Sequence, residues 1–173
     1  MILIQQTINI GGIYFMNNSI KGQFDKLFDR YDKRFSAMQK NKQQEKDEEQ
    51  DFFEYFENKI TTVIYPCMEQ IGKMLQERSH QYKIKQYHTI DNEEASITLI
   101  ICPKGNRLEE RFSIQLEVFP YISFSTRMYE KKVIINLQTF EGSGRYNAEC
   151  DITELTEQVV TTHILDGLKE ILK

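Results

Sequence analysis

The sequence predicts an α+β fold: an N-terminal helical arm, then a five-stranded antiparallel meander with a kinked preceding helix and a C-terminal helix on one face. Three observations lead there. Apolar residues recur at helical spacing from Phe52 to Leu75, the period changes to two between Gln81 and Phe140, and helical spacing returns after Asp151.

A chain of 173 residues holds one core plus an appendage. Charged residues make up 28% and the formal net charge is −4, so the basic excess that phosphate backbones demand is missing and double-stranded nucleic acid is disfavoured. No apolar run approaches the roughly 20 residues that span a bilayer, and the first fifteen residues lack the basic start of a secretory leader, so a cytoplasmic protein without membrane contact is expected. Cys67, Cys102 and Cys150 share no short spacing and are odd in number, which suits reduced, structural thiols. Abundant Ile, Lys, Asn, Tyr and Phe beside modest Leu point to an AT-rich, bacterial source.

Residues 1–15 have two readings. Ile2, Ile4, Thr7, Ile8 and Ile10 alternate as in an edge strand. Alternatively, the codons of Gly11 and Gly12 can spell a ribosome-binding tract, with natural translation starting at Met16 and the preceding residues non-native.

Residues 16–51 read as a helical arm and charged linker. Asn17, Asn18 and Ser19 supply N-cap oxygens for a helix from about Ile20 to Lys40. Phe24, Leu27, Phe28, Tyr31, Phe35 and Met38 form its apolar seam. Phe24, Tyr31 and Met38 stand seven apart, but Arg34 interrupts the companion position of Leu27, leaving about two heptads, marginal for a free coiled coil. A partner or the protein's own body must cover these aromatics. Gln39 to Asp51 then contains no apolar residue and is either a solvent-crossing helix or a disordered linker.

Residues 52–173 form the α+β domain. Phe53, Phe56, Ile60, Val63, Cys67, Ile71 and Met74 make one stripe, widened by Ile64, Met68 and Leu75; Pro66 inside it predicts a helix kinked near Thr62, with Pro66 as the first residue of a second helix as the alternative. Strands are expected at 81–90, 95–103, 109–119, 121–130 and 132–140; short polar turns between them require an antiparallel meander, and Pro120 marks a bend. Residues 141–148, with Gly142 and Gly144, read as a loop. Asp151 and Glu154 make a capping-box start for a last helix to about Leu172, carrying Ile152, Leu155, Val159, Ile164, Leu168 and Ile171.

Phe112, Ile114, Leu116, Val118, Ile122, Phe124 and Met128 should face the helices, with Arg111, Ser113, Gln115, Glu117, Ser123, Ser125, Arg127 and Tyr129 on the opposite face. Lys83, Lys85, Tyr87, Asn136 and Gln138 join that second face. It is a possible ligand face (Lys83, Lys85, Tyr87, Arg111, Arg127 and Tyr129), against the simpler reading of a solvated sheet surface. His80, His88 and His163 lie in no metal-spaced motif, and Gly142-Ser143-Gly144 lacks the Lys and Ser or Thr of a phosphate loop. Cys150, just ahead of a helix start, has a lowered thiol pKa as one reading and an inert thiol as the other. No catalytic, metal or cofactor constellation emerges. The expectation is a non-enzymatic protein-interaction or assembly module, an accessory subunit of a bacterial complex, whose arm takes a protein partner or a second copy. The alternative is a single-stranded nucleic-acid or small-ligand binding domain using the open sheet face.

Overall fold

The computed structural model describes residues 11–89, 94–105, 119–140 and 142–173, with side chains from residue 20 onward except those of 142–147. The strand readings at 2–10 and 109–119 therefore lie outside the described residues, the latter apart from Phe119. Contacts divide the chain into two units, one ending at Lys46 and the other Asp47–Lys173.

Helix α1 runs from Gly11 to Lys59 and contributes to both units. The charged stretch 39–51 is thus helical. Its Gln, Lys and Glu residues are good helix formers, and they need no buried face where charged and amide side chains four apart support one another, as Gln50 does by donating to Glu54 at 2.8 Å.

In the second unit α1 passes into a wide π-helical turn, Ile60–Ile64, and then into α2, Tyr65–Glu77. The helix is interrupted close to Thr62, and Pro66 stands in the first turn of α2, near the alternative reading of Pro66 opening a second helix. Pro66 has no N–H and its ring collides with the carbonyl one turn back, so a regular ladder cannot pass through it. Thr62 Oγ1 donates to the Asn58 carbonyl at 2.7 Å and Thr61 Oγ1 to the same carbonyl at 2.9 Å, so hydroxyls occupy part of the disturbed ladder.

The turn also moves the seam. Phe56, Ile60, Ile64 and Met68 are buried in steps of four. Each such step overshoots a 3.6-residue turn by about 40°. A wide turn rotates less per residue and absorbs that overshoot. The uniform stripe through Val63 and Met74 is corrected accordingly: Val63 is half-buried, Met74 is 53% exposed, and Ile64, Met68 and Leu75 take the core positions.

Among the described residues the sheet has five strands, β1 (Gln81–His88), β2 (Ala95–Cys102), β3 (Tyr121–Arg127), β4 (Lys132–Thr139) and β5 (Gly142–Asp151), each antiparallel to its sequence neighbour in the order β1-β2-β3-β4-β5. The fifth strand corrects the loop reading of 141–148. Glycines and polar residues hid its pattern, but Ile134 pairs with Glu149 and Asn136 with Asn147, and an irregularity between Asn136 and Gln138 takes up the glycine-rich end.

One face is the core. Ile84, Leu99, Ile122 and Leu137 lie side by side across four strands, and Ile97, Phe124, Ile135 and Ala148 form the next row. Both α2 and the last helix, α3 (Glu157–Ile171), pack there, α2 bringing Gly72 against the Tyr82 ring and α3 bringing Gly167 against Ile122 and Leu137. At the start of β2, Thr126 Oγ1 accepts from the buried Ala95 N–H at 3.0 Å and donates to the Ala95 carbonyl at 3.4 Å, one residue beyond the last β2–β3 pair, Ser96 with Ser125.

The predicted start of α3 is also corrected. The capping box of Asp151 and Glu154 exists, yet it caps a single 3₁₀ turn, Ile152–Glu154. The α3 cap is Thr156, whose side chain accepts from the Val159 N–H. Leu155 between them is fully buried, and its carbonyl accepts from Lys59 Nζ at 2.8 Å, tying the last turn of α1 to this connector.

Candidate functional site

The seam of the arm occupies one side of α1. Counting about 100° per residue, Ile20, Phe24, Leu27, Phe28, Tyr31, Phe35 and Met38 fall within an arc of about 100°, the width of a buried stripe. All are exposed, with the six residues from Phe24 to Met38 at 48–62%. Their rings already associate along the helix: Phe24 and Phe28 stack with centroids 6.3 Å apart, Tyr31 and Phe35 at 6.1 Å. From Ile20 to Met38 the positions 20, 24, 27, 31, 35 and 38 advance eighteen residues in five turns. That is the period of a straight α-helix, not the 3.5 of a left-handed supercoil. Arg34 is accordingly the flank of the stripe, with Phe35 taking its place in the seam.

The second sheet face contains the residues expected there, with exceptions. Pairing aligns Lys85, Thr98, Ser123 and Asn136 in one row, and Tyr87, Ser96, Ser125 and Ile134 in the next. Lys83 stands opposite Ile100, which is buried, as is Ser123, so the face is not open throughout. The Arg127 guanidinium lies 3.0 Å from Glu130 and 3.9 Å from Glu149, which neutralises its charge locally. Tyr129 leaves the strand in a 3₁₀ turn, Met128–Glu130, and is 93% exposed. Arg111 lies outside the described residues.

A cavity of about 190 Å³ opens beside the π turn, lined by Thr62, Val63, Pro66, Cys67, Gln70 and Glu157. It is smaller than the roughly 300 Å³ at which small-molecule sites begin. Cys67 Sγ contacts the Glu157 carbonyl at 3.8 Å, and burial pushes its thiol pKa up. Cys102 is raised by burial as well. Cys150 lies in β5, with the 3₁₀ turn rather than α3 following it. Burial first, and then Glu154 and Asp151, raise its pKa, which replaces the lowered-pKa reading. Raised thiols are poor nucleophiles at neutral pH. Among the described residues no three metal-ligating side chains converge, and no helix is long and apolar enough to cross a membrane.

His163 is half-buried on α3, and burial lowers its pKa below the ordinary value of 6.5, with Asp166 opposing the shift. A depressed histidine binds fewer protons folded than unfolded, so stability rises with pH across the window between the two pKa values. Denaturation midpoints should therefore fall as the pH is lowered through about 6.5. His163→Gln should flatten that part of the profile, measured by urea titration between pH 7.5 and 5.5.

Comparison of the chain with protein-family models, with curated proteins and with solved structures finds no match.

Proposed function

We propose that this chain is a non-enzymatic protein-interaction or assembly module, an accessory subunit of a bacterial complex, whose α+β body presents an aromatic helical arm. The observation that carries the reading is the exposed seam: four aromatic rings, a leucine and a methionine on one side of a helix, each about half exposed. Apolar patches of this kind mark interaction surfaces, and aromatic side chains supply most of the binding energy at interfaces. The sheet face supports this reading over the ligand-face alternative, since Arg127 is paired with carboxylates and Ile100 is buried there.

Replacing Phe24, Tyr31 and Phe35 together by Ala in the full chain should remove association while leaving the body's thermal midpoint unchanged. Association is read in two ways: the mass of the purified protein by light scattering, and co-purification from an extract of the source cell with tagged wild-type and variant proteins as bait. The reading fails if the variant retains the same mass and the same co-purifying proteins as the wild type.

A further inference from the structure

Resting on the reading of the arm as an interaction element, we infer that its occupant is the arm of a second copy of this chain, paired in parallel and in register. Charge on the two flanks of the seam carries this. With Phe24 as origin and about 100° per residue, Asp32, Asp25 and Asp29 stand about 80–140° round on one side, and Arg34 and Arg30 about 80–120° round on the other. Lys21 begins the acidic flank, level with Gln23 across the seam.

When two helices pair in parallel about a two-fold axis, each left flank meets the partner's right flank. Asp32 then falls within two residues, about 3 Å of rise, of both Arg30 and Arg34 of the second copy, and Asp29 within one residue of Arg30. The twofold repeats these pairs on the other edge. Further along, Lys46 lies on the first flank and Glu45 on the second, again opposite in sign, while Lys42 falls on the seam line itself, so the matched stretch is the one from Ile20 to Met38. Antiparallel pairing brings each flank against its own kind, aspartates to aspartates and arginines to arginines, which is repulsive. The charges choose the orientation; the seam supplies the affinity.

The area suffices. An aromatic side chain has about 150–250 Å² to bury, so rings about half exposed leave roughly 100 Å² each, or roughly 800 Å² for the eight rings of two arms. Ile20, Leu27 and Met38 carry the total past the roughly 1,000 Å² that a specific interface needs. The straight 3.6-residue period lets two arms lie side by side along roughly 27 Å without supercoiling.

Sedimentation equilibrium of the full chain should show a reversible dimer. Arg30→Asp with Arg34→Asp should weaken it by about tenfold or more at low salt, and so should Asp25→Arg with Asp32→Arg. An equimolar mixture of the two variants restores opposite charges on both edges and should recover dimer within a few-fold of wild type. Ile20→Cys places two thiols at one level and should form an inter-chain disulfide under mild oxidation. A dimer that resists cross-linking at position 20, yet links when Ile20→Cys is mixed with Met38→Cys, overturns the parallel arrangement. A monomer at every concentration overturns self-pairing altogether, while arm-dependent co-purification of a different protein would leave the interaction-module reading standing.

Discussion

Phe56→Ala should cost about 3–5 kcal/mol of stability, measured by urea denaturation. Phe56 is fully buried, and it lies where the helical seam begins its run through Ile60, Ile64 and Met68. Removing a ring there forfeits its transfer free energy and leaves a cavity in the same buried cluster that holds Ile97, Leu99 and Phe124. A domain of this size has about 5–15 kcal/mol in total, so about a fifth or more of the stability rests on one side chain. A loss below about 1 kcal/mol would mean that the end of α1 does not pack on the sheet. The arm seam offers the matching control, because Phe28→Ala removes the same ring from an exposed position and should leave the unfolding free energy of the body within about 0.5 kcal/mol.

Gly72→Ala should destabilise by about 1–3 kcal/mol, although alanine is the better helix former by about 0.5–1 kcal/mol. A methyl group at position 72 would meet three atoms of the Tyr82 ring at 2.2–2.4 Å, far inside van der Waals contact. Either α2 lifts from β1 or the ring swings out of the cluster it packs against. Both outcomes weaken the same contact, so a double-mutant cycle with Tyr82→Ala reports it: the Gly72→Ala penalty should disappear once the ring is gone. An undiminished penalty in the Tyr82→Ala background would show that the glycine is needed for another reason.

Much of the architecture is legible because periodicity is a local property. The change from helical spacing to alternation near Gln81 marks where helices end and strands begin, and short polar connections leave antiparallel neighbours as the available arrangement. Alternation in Tyr121–Arg127 and Lys132–Thr139 likewise assigns the two sheet faces, and the strand pairings agree. β5 escaped because its stretch from Gly142 to Asn147 carries no apolar alternation; its strand conformation comes from pairing with β4, a contact no local window contains. The capping box at Asp151 was a true signal attached to a shorter element, since the same hydrogen bonds close a 3₁₀ turn as readily as the first turn of an α-helix.

The arm divides in the same way. Its seam, its flanking charges and the apolar gap from Gln39 to Asp51 are all written in the sequence. What the sequence could not decide was whether the gap is helix or coil, because a charged stretch with good helix formers is compatible with both until the flanking segments hold its ends in register. The sequence by itself determined the fold class, the core face of the sheet and the position of the arm's apolar seam, each of which follows from spacing along the chain. Tertiary structure alone decided the fifth strand, the wide turn that rotates the seam from Met74 onto Leu75, and the close approach of Gly72 to Tyr82, because each depends on what lies opposite in space.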